Sequence, residues 1–117
     1  MKAIRLLNDD LGNSYFEKGT LPEYHKIEVE YFNIQTKIEA YQQHQHKAPR
    51  YQFVVTLKGK LEFSTSEGKT FIIEPGIILI AKDTEGEGHS WKIIEGDNWE
   101  RIYIVPTQND LDHFILD

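Results

Sequence analysis

Between residues 26 and 106 the chain is written in short runs where apolar and polar residues alternate, broken by glycine or proline where the alternation fails. Successive side chains of an extended strand point to opposite faces, so such runs read as half-buried β-strands. Ile27, Val29 and Tyr31 alternate with Glu28 and Glu30; then Phe32, Ile34, Thr36, Ile38 and Ala40 alternate with Asn33, Gln35, Lys37 and Glu39. The apolar parity flips at Tyr31-Phe32, which predicts a β-bulge or strand break there. Further strands are predicted over 51–57, 60–64, 70–74, 77–81, 89–94 and 99–105, with turns at Lys58-Gly59, 66–69, Pro75-Gly76 and 95–98. The run at 77–81 is continuously apolar and is predicted to be buried on both faces. KDTEGEG, which follows it, is predicted to be a flexible acidic loop that delivers His89 to the next strand. Many short strands punctuated by glycine turns, with almost no helical period, specify an all-β sandwich or barrel.

The two ends read differently. Residues 1–25 are predicted to hold a short strand near Ala3 to Leu7, then an irregular arm able to pack Tyr15 and Phe16. Pro106 stops the last strand, and the terminal stretch, with Leu111, Phe114 and Ile115 facing inward, is predicted to form a short helix. At 117 residues the whole is one domain, an arm over 1–25 and a β body over 26–117. Composition then removes function classes. The chain has no cysteine, which excludes disulfides, thiol catalysis and thiolate metal sites. Its formal net charge is −6 and no cluster of Lys and Arg interrupts it, which argues against nucleic acid and anionic membrane as partners. No apolar run approaches the length of a membrane span or a signal-peptide core, so the expected compartment is the cytoplasm.

Chemistry concentrates in HQHKAPRYQFVVTLKG, residues 44–59. On a strand, His44 and His46 would share a face, their imidazoles close enough to share one metal ion such as zinc, iron, nickel or copper. Standing alone, such a pair is more often the solvated end of a polar strand. His25 has no ligand spacing around it, and His113 falls on the side of the predicted terminal helix opposite Leu111, Phe114 and Ile115, so both read as surface residues. Counting by twos from Gln52 puts Arg50, Val54 and Thr56 on its face. Arg50 there suits an anionic substrate, because a guanidinium grips a carboxylate through two parallel hydrogen bonds; a surface arginine beside Pro49 is the plain alternative. Trp91 shares parity with His89, and Trp99, Arg101 and Tyr103 share a face on the last strand, as core or as the wall of a binding cavity.

Residues 44–59, followed by GKTFIIEPG and the glycine-rich loop ending in His89, resemble the two signature motifs of the cupin superfamily, in particular its small single-domain bacterial members. The resemblance implies a small jelly-roll barrel holding a divalent metal. It implies that His44 and His46 are the paired histidines of the first motif and that Gln52 stands where the family places a glutamate. His89 would supply the histidine of the second motif, opened by Gly68, Pro75 and Gly76. The implied metal set is therefore His44, His46, Gln52 and His89. The chain departs from the pattern at Ile38 and Ile93, in one extra residue between His46 and Gln52, and in the longer loop before His89. Glutamine for glutamate gives a weaker ligand and leaves the metal's charge uncompensated. Asp83, Glu85 or Glu87 is an alternative carboxylate ligand, and a cupin without metal is another.

Two function classes follow. One is a metal-dependent enzyme, of dioxygenase or isomerase type, acting on a small polar or anionic molecule, with Arg50, Trp91 and Tyr103 around the substrate. The other is a non-catalytic module that binds or senses a small molecule. The resemblance also implies a homodimer, formed by pairing of the exposed alternating edge 26–40.

Overall fold

The alternating runs become strands of one sheet, as an all-β reading requires. The computed structural model describes residues 1–39, 42, 44–107 and 111–117. Its strands in chain order are β1 (Lys2–Asn8), β2 (Ser14–Thr20), β3 (Val29–Gln35), β4 (Gln52–Thr65), β5 (Thr70–Ile73), β6 (Ile77–Ala81), β7 (His89–Pro106) and β8 (Ile115–Leu116). They lie in the order β3-β7-β4-β6-β1-β2-β8, with β5 beside the second half of β4, in a sheet that is not closed. Neighbours pair antiparallel except β1 with β6, which run parallel. Among the described residues no helix is long and apolar enough to cross a membrane.

Four expectations from the sequence are corrected here. The arm of 1–25 is mostly strand: β1 and β2 form a hairpin whose turn is held by the Asp9 carboxylate, which accepts from the Leu11 and Asn13 N–H groups at 2.9 Å each. Turn-rich wording there marks one tight reversal and hides the strand after it. Lys58-Gly59 and 95–98 do not separate strands; β4 and β7 run through them as one long pair, and shifts of register absorb the extra residues. Gly59 is required at that crossing, since a Cβ on it would stand 2.7 Å from the Asn98 carbonyl oxygen. The terminal helix is not formed over 111–117, where Ile115–Leu116 instead pairs with Gly19 and Thr20 of β2; residues 108–110 of that expectation lie outside the described ones. Finally, the bulge in β3 falls between Val29 and Tyr31, just before the predicted Tyr31-Phe32.

The sheet curls so that its inner faces meet in an aromatic core. Trp91 and Trp99 pack edge to face at 4.8 Å, Phe63 stacks on Phe71 at 5.1 Å, and Phe16 of β2 closes on Phe71 at 4.7 Å. Ile4, Leu6, Val54, Leu61, Ile73 and Leu79 complete this cluster. A smaller cluster of Ala3, Tyr51, Phe53 and Ile80 lies on the outer face, capped by Leu21, Ile27 and Phe114. The cap is pinned by charge: Asp112, beside Phe114, is bridged by Lys82 at 2.7 Å and Arg5 at 3.1 Å.

Candidate functional site

Gln42 and residues 44–50 lie over the inner face at the end where β4 begins. On that face the register sets Gln35 of β3 opposite Arg101 of β7 and Thr56 of β4, with Asn33, Tyr103 and Val54 in the next row. Between the loop and these rows is a cavity of about 310 Å³, walled by the side chains of His46, Lys47 and Arg50 from the loop. Gln52, Tyr103 and the amides Asn33, Gln35 and Gln42 close its other sides. No Asp or Glu stands among the described residues that line it.

Arg101 governs the floor. It is 0% exposed, yet its contacts are to uncharged groups. The Nε donates to the Tyr103 hydroxyl at 3.2 Å, one terminal nitrogen to the Lys37 and Trp99 carbonyls, and the other to the amide oxygens of Gln35 and Gln42. Its guanidinium also lies 4.6 Å from the centre of the Trp99 ring, a cation–π contact. Every donor is satisfied, but the positive charge meets no carboxylate among these contacts, so its field reaches the cavity above. At the rim Arg50 donates to the Tyr31 hydroxyl. Sequence reasoning placed Arg101 on this face without giving it a role; the available signal was a basic residue spaced by two from Trp99 and Tyr103, so that both rings flank it.

His46 and His89 are brought together, but not by the predicted strand. His44 sits in a bend with its imidazole exposed, and the His44–His46 pair does not share a strand face. Pro49 and the bends around it keep the segment out of the sheet, because proline cannot donate to a ladder. His46 instead exchanges backbone hydrogen bonds with His89, 2.8 Å each way, which sets the two rings 4.9 Å apart. Gly88 permits this approach: a Cβ there would stand 2.0 Å from the His46 carbonyl oxygen.

Each histidine has a fixed Nδ1. That of His46 lies 2.8 Å from the His44 carbonyl, which can only accept, so this nitrogen carries the proton. Burial pushes the His46 imidazole below its ordinary value, and neighbouring His89 adds to the fall against the raising pull of the His44 carbonyl and Asp83. The Nδ1 of His89 lies 2.6 Å from Oδ2 of Asp83, which also accepts from the Ser14 hydroxyl at 2.8 Å. Asp83 is fully buried and its second oxygen meets no donor among the described residues. The acidic loop is therefore tied down, by Asp83 and by reciprocal bonds of Asn8 with Glu85, each 3.0 Å.

Of the residues singled out from sequence, His46, Arg50, Gln52 and Tyr103 line one cavity, and His89 touches it through His46. Trp91 is in the aromatic core, where its inward parity leads, and does not line the cavity. For a metal the chain offers the His46–His89 imidazole pair; no three His, Asp or Glu side chains gather into a metal-holding group among the described residues. No protein-family model matches the chain, and no curated protein does.

Proposed function

We propose that this is a cupin-like, jelly-roll protein that binds a small carboxylate-bearing molecule in the cavity beneath residues 44–50. The observation that carries the reading is the cavity's one-sided charge. In a chain with 19 acidic residues against 13 Lys and Arg, its described lining holds Lys47, Arg50 and His46 and no acid, above the buried cation of Arg101. The amides and the Tyr103 hydroxyl supply donors and acceptors to fix orientation, and Arg50 offers the planar fork that matches a carboxylate. A volume of about 310 Å³ suits a metabolite-sized ligand. A larger hollow of about 610 Å³ pairs its Lys2 and Lys18 with Glu62 and Asp117 and lacks that bias. We place the protein in the cytoplasm, where such metabolites are abundant.

The test is a thermal-shift screen of small mono- and dicarboxylates beside amines and neutral sugars of equal size, with hits confirmed by calorimetry. Carboxylates alone should raise the melting temperature. A screen in which carboxylates do no better than amines defeats the reading.

One observation favours a second reading, a metal-dependent enzyme of dioxygenase or isomerase type. A fully buried Asp83 with one unsatisfied oxygen is costly to fold around, and its service is to hold one nitrogen of His89 beside His46. A bound zinc, iron, nickel or copper would be held by these imidazoles with Gln52 near, and would supply Lewis acidity or redox chemistry. Plasma mass spectrometry of untagged protein, beside His46→Ala, checks it: near-stoichiometric metal lost in the variant supports the enzyme, and no uptake after reconstitution of folded protein removes it.

A further inference from the structure

The amides of Gln35, Gln42 and Asn33 are not free to present either end to the cavity they line. A guanidinium only donates, so the amide atom that faces it must be the oxygen. One terminal nitrogen of Arg101 donates to Oε1 of Gln42 at 3.2 Å and to Oε1 of Gln35 at 3.3 Å, and the Glu39 N–H donates to the same Gln42 oxygen at 2.9 Å. Gln35 passes the bias on, since its Nε2 donates to Oδ1 of Asn33 at 3.1 Å. The Tyr103 hydroxyl oxygen accepts from Nε of Arg101 at 3.2 Å, which leaves its proton to point elsewhere. Each of these four oxygens is thus engaged, at Arg101 or at a neighbour held by it. What the four side chains have left to offer the cavity is N–H and O–H donors. Among the described residues neither Nε2 of Gln42 nor Nδ2 of Asn33 meets an acceptor.

We infer, resting on the carboxylate reading above, that Arg101 is a positioning residue that makes the cavity floor a donor surface, and that the ligand is a small dicarboxylate. One carboxylate meets the planar fork of Arg50 at the rim. The other lies over the floor, where amide N–H groups and the Tyr103 O–H stand above the buried charge of Arg101. A neutral acceptor at that end would use the donors but not the charge. An ammonium would face donors and a like charge together, so an ω-amino acid of the same length is rejected. Arg101 touches the ligand only through the groups it orients.

Calorimetric titration with butanedioate, pentanedioate and hexanedioate, each beside the monocarboxylate and the ω-amino acid of equal length, tests this on wild type and on Gln42→Glu. The variant keeps an oxygen on Arg101 and replaces the unbonded nitrogen by a second oxygen of nearly the same shape, with a negative charge. Wild type should bind a dicarboxylate roughly tenfold or more tightly than the matching monocarboxylate. Gln42→Glu should lose roughly tenfold or more on the dicarboxylate, lose less on the monocarboxylate and gain on the amino acid, with its melting temperature undiminished. Equal affinity of wild type for dicarboxylate and monocarboxylate overturns the inference and leaves the carboxylate reading standing. A loss in Gln42→Glu that falls equally on all three ligand types also overturns it, since Arg101 and Gln42 would then serve the fold alone. Binding of no carboxylate at all overturns both. Should Gln42→Glu fail to fold, Gln35→Glu, on the same Arg101 nitrogen, is read in the same way.

Discussion

The inner and outer sides of β3, β7 and β4 invert the usual rule of polar outside and apolar inside. Inward, Gln35, Arg101 and Tyr103 put a buried cation and its amide partners beneath a cavity; outward, Phe32, Ile34 and Leu57 put hydrocarbon in water. Both arrangements cost free energy in an isolated chain, the first through desolvated charge and the second through hydrated apolar surface. On the proposed reading an anion would offset the first, whereas the second stays on the surface of the single chain. The comparison teaches that one set of strands can carry two chemistries without interference, because period two sends successive residues to opposite sides.

The largest effect expected is at Arg101. Arg101→Ala removes five hydrogen bonds, to Tyr103, Lys37, Trp99, Gln35 and Gln42, from buried and half-buried positions and opens a cavity beside Trp99. Urea unfolding should show a loss of roughly 3–5 kcal/mol. A loss below about 1 kcal/mol would mean that water already reaches those groups, and the inner side would no longer differ from an ordinary wet cleft.

Asp112 sharpens the comparison on the outer side, because it fixes the cap that keeps Phe53 dry while Ile34 stays wet. Burial alone would raise its carboxyl, but Lys82, the Phe114 N–H and Arg5 outweigh this and hold it below the usual value. A carboxyl lowered in the fold contributes stability that is full above its unfolded pKa and fades as pH falls through the folded one. Asp112→Asn should therefore cost about 2 kcal/mol at neutral pH, and the gap to wild type should close as pH falls below about 4. Urea titrations at both pH values measure it, and a gap that persists in acid would assign the effect to packing alone.

How much of this could be read from the sequence follows from what each signal encodes. Alternation at Gln52 to Thr56 encodes sides, and there they came through, with Val54 and Thr56 inside and Leu57 outside; at Phe32 and Ile34 the apolar side faces water while Asn33 and Gln35 line the cavity, and Ile38 packs on the inner core. Which side is covered is set by distant segments, and nothing local to Ile34 says that Phe114 will cap Phe53 and not reach it. Turn residues encode a local bend but not whether the ladder survives it, so Gly59 read as a turn although β4 continues through it. The cavity was legible as separate residues, His46, Arg50, Gln52 and Tyr103. The resemblance grouped His46 with His89, but the backbone bridge that joins the loop at His46 to the start of β7 leaves no periodic trace, and Asp83 was read as a loop acid and at most an alternative ligand, not as the buried partner of His89.

The smallest effect on stability is expected at Arg50, and it bears most directly on function. Arg50 is exposed and donates to the Tyr31 hydroxyl at the rim, so Arg50→Ala should leave the unfolding free energy within about 0.5 kcal/mol of wild type. Carboxylate affinity should nevertheless fall about tenfold or more, because a two-pronged charged contact is lost while Arg101 below still supplies the field. Arg50→Lys separates these contributions: it keeps the charge and removes the planar fork, so its affinity should lie between alanine and wild type. Equal binding by lysine and arginine would reduce Arg50 to a diffuse charge. Unchanged binding by the alanine variant, with fold intact, would place the ligand against Tyr103 and Gln35 deeper in the cavity, and the difference between the two sides would then rest on the buried charge of Arg101 behind them and not on a built anion site.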